Sequence, residues 1–90
     1  MEIAFDPAKR KATLEARGLD FADAAIVFDG ATYTMVDDRE EYGEERCITV
    51  GRLNRRMVVI VWTPRDGFRR IISMRKANDR EQAFYAGRLG

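Results

Sequence analysis

The stretch RMVVIVWTPRDGFRRIISM, Arg56 to Met74, sets the architecture of this chain. It is apolar at every position from Met57 to Trp62 and rich in β-branched residues, the pattern of a central strand covered on both faces. Pro64-Arg65-Asp66-Gly67 then has turn chemistry, because Pro pre-sets one backbone dihedral and Gly accepts a positive one. From Phe68 the chain returns in alternation. Strict period two assigns Phe68, Arg70, Ile72 and Met74 to one face and Arg69, Ile71, Ser73 and Arg75 to the other, more polar one.

On its N-terminal side, Leu53-Asn54-Arg55 is a tight turn into Arg56–Thr63 from a preceding strand, Glu45–Arg52. A further strand, Ala31–Val36, is separated from it by the acidic stretch Asp37–Gly43, read as a flexible loop. Before the strands, Asp6-Pro7 opens a helix over Pro7–Arg17, since Asp accepts from the first free N–H groups and Pro fits the first turn. Gly18 suits its left-handed end. Asp20 caps a second, short helix over Phe21–Phe28, with Leu19, Phe21, Ala25 and Phe28 assigned inward. After the strands, Asn78 with Glu81 three residues on reads as a capping box for a helix to about Arg88. The expected architecture is α+β: two N-terminal helices, a four-stranded, mainly antiparallel sheet and a C-terminal helix, forming a single domain over 1–90.

Composition narrows the function. The 90 residues are 46% hydrophobic and 34% charged, too apolar for a disordered tail. No apolar run approaches the ~18–20 residues of a membrane span, and Met1–Lys11 lacks a signal-peptide core, so a soluble cytoplasmic protein without membrane contact is expected. With no His and one Cys, Cys47, there is neither an internal disulfide nor a zinc site to build. Cys47 and Trp62 read as core residues. Glycine-rich nucleotide loops and calcium loops are absent, and neither metal nor cofactor is expected.

The net charge of +1 conceals an asymmetry. Residues 1–45 hold five basic and twelve acidic groups, a balance of −7, and residues 46–90 hold eleven and three, a balance of +8. Thirteen of the sixteen cations are Arg, whose planar fork of donors suits phosphate and carboxylate. Two readings of the basic half stand: a polyanion-binding surface, or cations that pair across the fold with the acidic half.

Without imidazole, acid–base work falls to carboxylates, Tyr or Lys. Glu44-Glu45-Arg46 places carboxylate and guanidinium together at a strand start, where a carboxylate can take a proton from a ribose 2′-hydroxyl and Arg46 can steady charge on phosphate. The alternative is a solvated edge that blocks strand pairing. Arg65, Arg69, Arg75 and Lys76 are candidates for one phosphate-binding surface, with Thr63 and Ser73 as neutral donors. Tyr85, four residues after Glu81, either stacks on a base or packs on the sheet.

These residues carry a resemblance. Phe5-Asp6-Pro7, Gly18-Leu19-Asp20-Phe21, Ala24–Asp29, Gly43-Glu44-Glu45-Arg46 with Thr49-Val50-Gly51, Val58–Thr63 with Arg65, and Arg70–Ala77 are similar to the BrnT toxins of type II toxin–antitoxin systems. Asp79-Arg80-Glu81 with Tyr85 resembles their closing helix. The resemblance implies a RelE-like fold and a metal-independent endoribonuclease that inhibits translation. It also implies neutralisation by a BrnA-like antitoxin with a ribbon-helix-helix domain, through which alone the toxin would meet promoter DNA. Transferred by position, Glu44, Glu45, Arg46, Arg65 and Arg75 are the catalytic candidates, and Arg69, Ser73, Lys76 and Tyr85 the RNA-binding ones. This chain departs from the family pattern at Thr13, Ala16-Arg17 and Met74, where the family usually has Asn, a Lys-His pair and a small residue. The competing expectation is a non-catalytic module that binds nucleic acid or protein through the basic half.

Overall fold

A computed structural model describes residues 1–90. In chain order the elements are β1 (Glu2–Ala4), α1 (Pro7–Arg17), a 3-10 turn (Phe21–Asp23), α2 (Ala24–Asp29), β2 (Tyr33–Val36), β3 (Cys47–Leu53), β4 (Arg56–Arg65), β5 (Phe68–Lys76) and α3 (Asp79–Leu89). The strands form one sheet in the order β1-β5-β4-β3-β2, antiparallel except for the parallel pair β1 and β5. The expected α+β architecture is therefore present with a fifth strand added. Only three residues long and paired with a strand more than sixty positions away, β1 leaves no periodic trace in the sequence.

Helices α1 and α3 and the 3-10 turn start where local chemistry places them. The Asp6 side chain accepts from the Ala8 N–H at 2.9 Å, and Gly18 closes α1 at φ 69°. Asn78 and Glu81 form the reciprocal capping box of α3. Asp20 caps the 3-10 turn, and this tighter turn shifts the phase of the helix after it. Ala24 and Val27 therefore point into the core and Ala25 is exposed, where a continuous helix would have buried Ala25.

The core has two layers, one on each side of the sheet. On one side the 3-10 turn and α2 bury Leu19, Phe21, Ala24 and Val27 against Cys47, Leu53, Val58, Ile60, Trp62, Ile71 and Met74. Helix α1 buries no residue; the bidentate Arg10–Asp20 pair and the bond from Arg17 to the Met74 carbonyl, 3.0 Å long, hold it. Gly51 lets α2 approach, since a methyl group there would stand 2.5 Å from Cγ1 of Val27. On the other side α3 packs Leu89 and the half-buried Tyr85 over Val50, Met57 and Val59.

One irregularity governs which side chains share a face. Val61 pairs with Ser73 but Trp62 pairs with Ile71, so Ile72 is an extra residue in β5. The strict alternation expected from Phe68 to Arg75 therefore fails at Ile72. Ile71 and Met74 both enter the helical-side core, Arg69 shares their side, and Arg75 lies on the other.

Candidate active site

Farther along the strands, past the part packed by α3, the same face of the sheet carries no helix and is bordered by the segment 37–46. That segment is pinned, not the flexible loop expected. The buried Asp37 carboxylate accepts from the Arg39 guanidinium at 2.8 and 2.9 Å, from the Arg39 N–H at 3.3 Å and from the Tyr42 hydroxyl at 3.2 Å. The Arg39 contact holds the Asp37 carboxyl down at about 2 against the cost of burial. The Arg46 guanidinium lies over the Tyr42 ring at 4.1 Å, with its Nε buried and unpartnered. Stacking offsets part of that desolvation.

Glu44 comes from the end of the same segment. Its Oε2 accepts from Arg65 at 3.0 Å and from the Thr63 hydroxyl at 3.3 Å, while that hydroxyl also contacts the Glu45 carbonyl at 2.6 Å. Arg70 pairs with Thr63 across the strands and so shares its face. Arg75, opposite Val59, forms a bidentate pair with Glu81 of α3 at 2.8 Å for both bonds. This contact is the main cause that lowers the Glu81 carboxyl to about 2 and raises Arg75, while the like charge of Arg39 works against the latter. Arg39 is thus an electrostatic neighbour of Arg75. Half-buried Val61 and Ser73 lie along the strands between the Glu44 and Arg75 ends.

The structure thus brings Glu44, Arg46, Arg65, Ser73 and Arg75 to one face and sends Glu45, Arg69 and Lys76 to the other. Glu45 accepts a 3.6 Å contact from the Cys47 Sγ, on the helical side. Burial first, and Glu45 second, push that thiol up. Arg69 lies on the opposite face from Arg75, stacked on Phe28 and Trp62 at 4.2 and 5.4 Å. Lys76 is exposed at the end of β5 opposite Val58, a helical-side residue. Ser73, opposite Val61 on the Arg75 face, also borders, with Ile72, a groove of about 330 Å³ formed by Lys9, Thr13, Ala16 and Arg17 of α1. Tyr85 packs on the sheet, its hydroxyl on the Met35 sulfur at 3.6 Å and its ring 5.7 Å from that of Tyr33.

Arg39 and Arg70 were missed by sequence reasoning. Arg70 had a signal in its place on β5, but strict alternation put it with Met74 and the core. Arg39 had none, because its position depends on the fold of the 37–46 segment.

The description "Ribonuclease toxin, BrnT, of type II toxin-antitoxin system" matches residues 5–81. The chain belongs to the BrnT ribonuclease toxin family. A comparison with curated proteins gives no match. As a BrnT toxin of a type II system, the chain has an RNA substrate and a cognate antitoxin partner. The BrnT match includes Glu44, Arg46, Arg65 and Arg75, and it ends at Glu81, the partner of Arg75. No helix is long and apolar enough to cross a membrane.

Proposed function

We propose that this BrnT toxin is a single-domain cytoplasmic endoribonuclease that cuts RNA without a metal and so inhibits translation, using the face that carries Glu44, Arg46, Arg65 and Arg75. The observation that carries the reading is one sheet face whose half beyond α3 carries Glu44 with Arg65 and Thr63 at one end and Arg75 at the other, with Arg46 stacked on Tyr42 in the adjoining segment. Arg has five N–H donors, so the Glu81 pair leaves Arg75 with donors for a phosphate oxygen.

In the proposed reaction Glu44 takes the proton of a ribose 2′-hydroxyl, and the 2′-oxygen attacks the adjacent phosphorus in line. A 2′-oxygen–phosphorus bond forms and the bond to the 5′-oxygen breaks, leaving a 2′,3′-cyclic phosphate. The departing 5′-oxygen takes its proton from water. Arg65, the partner of Glu44, stabilises the charge that develops on the phosphoryl oxygens, and Arg75, farther along the same face, holds the RNA backbone. Glu44 fits the base role better than Glu45, because Glu45 engages Cys47 on the other side. Arg39, Arg70 and Ser73 would grip flanking phosphates. The antitoxin partner would be a BrnA-like ribbon-helix-helix protein, and contact with promoter DNA would run through it.

Incubation with RNA in EDTA tests the chemistry. The expected products carry 2′,3′-cyclic phosphate ends, and both Glu44→Gln and a 2′-deoxy substitution at the scissile nucleotide abolish them. RNA that binds with steep salt dependence and is recovered intact would replace the enzyme by the non-catalytic module.

A further inference from the structure

The sheet ends at β2, and its outer side has no partner strand. The ladder shows which groups are left over. In an antiparallel pair, residues that exchange N–H to C=O bonds alternate with residues whose groups point away. The Asp37 N–H donates to the Arg46 carbonyl at 2.8 Å, one step beyond the Val36–Cys47 pair. Met35 and Tyr33 therefore bond inward, while Thr34 and Val36 turn their N–H and C=O groups to the free edge. The Thr34 and Thr49 hydroxyls, 2.8 Å apart, fit the closer, non-hydrogen-bonded kind of pair.

Edges of this kind are usually blunted by Lys, Pro or an inward charge. Tyr33-Thr34-Met35-Val36 has none of these. Val36 is 61% exposed, Phe84 54% and Tyr33 40%. The Tyr33, Tyr85 and Phe84 rings follow one another at 5.7 and 4.8 Å, carrying an aromatic ridge from β2 onto α3. The Arg88 guanidinium stands 3.9 Å from the Phe84 ring and 6.0 Å from the Tyr33 ring. Arg52 lies two residues along β3 from Val50, the cross-strand partner of Tyr33, and so on the same face. Neither Arg52 nor Arg88 takes part in an ion pair. An open backbone edge, alternate apolar side chains and free cations together select an extended, acidic, apolar-dotted peptide.

We propose that the cognate antitoxin adds an acidic extended segment to the β2 edge as a sixth strand, covering Tyr33, Val36 and Phe84 and pairing with Arg52 and Arg88. The proposal rests on the toxin reading, which requires such a partner. It also accounts for neutralisation, because a strand added along β2 emerges at its Val36 end beside Asp37, where the segment bearing Arg39, Glu44 and Arg46 begins. A second copy of the chain would pair two four-residue edges, whereas a separate chain also covers the ridge on α3.

The experiment measures antitoxin binding by the parent chain, by Val36→Pro and by an Arg52→Glu/Arg88→Glu double variant, with circular dichroism to verify folding. Val36→Pro removes an outward N–H without touching the β3 ladder. Each variant is expected to weaken antitoxin binding by about tenfold or more while cleaving RNA as the parent does, and added salt should weaken the parent more than the charge-reversed chain. Undiminished antitoxin binding by both folded variants overturns the assignment. A parent dimer that Val36→Pro dissociates, with antitoxin affinity unchanged, also overturns it and gives the edge to a second copy. A parent that leaves RNA intact, yet binds the antitoxin in a way that depends on Val36, removes the nuclease reading and supports the edge.

Discussion

The two faces of the sheet are made from the same strands and differ in how completely each is covered. On the helical side, Phe21, Ala24 and Val27 close over Val58, Ile60, Ile71 and Met74. The buried polar contact there, Trp62 Nε1 donating to the Thr49 hydroxyl at 2.8 Å, is satisfied. On the other side α3 covers only one end, over Val50, Met57 and Val59, and charge occupies the rest. A small sheet can thus devote one face to stability and leave half of the other to charged groups. The crossing point is the bulge at Ile72, which keeps Arg75 on the charged face while Ile71 and Met74 both serve the core.

The contrast is undone most strongly from the closed face. Phe21→Ala should cost about 3–5 kcal/mol, read as a lower denaturant midpoint, because it empties a fully buried site. Gly51→Ala should cost less, about 1–3 kcal/mol, because Val27 and Thr32 must move to admit a methyl group. On the charged face, Asn78→Ala should cost about 1 kcal/mol through loss of the α3 cap.

Acid should act through the charged face as well. Glu81 and Asp37 both have carboxyls lowered to about 2 in the fold, from ordinary values of 4.5 and 3.8. Their contribution is whole above those ordinary values and is lost as the pH falls through the interval down to about 2. Melting temperature should drop across that window. In Glu81→Gln the drop should be shallower, and this is the smallest of the effects.

Much of the fold was legible because its signals are local. The apolar run Met57–Trp62 does form the middle strand, and Asp6, Asp20 and Asn78 do cap the elements assigned to them. What escaped depends on distant or non-periodic geometry. Strand β1 exists only through its pairing with β5, and nothing in Ile71-Ile72-Ser73 marks a bulge. The missed bulge moved Arg69 to the wrong company, onto Phe28 and Trp62. The acidic run 37–43 looked solvated because Asp37, Arg39 and Tyr42 reveal their mutual bonds only when the chain turns back on itself.

Arg69 and Arg75 offer the sharpest test of this division: two arginines of one strand, on opposite faces of the sheet. RNA cleavage should be compared for Arg69→Ala and Arg75→Ala at a temperature where both are folded. The expected result is a loss of about tenfold or more for Arg75→Ala and a rate within about twofold of the parent for Arg69→Ala. Equal losses, or a larger loss for Arg69→Ala, would contradict the placement of the reaction on the Arg75 face.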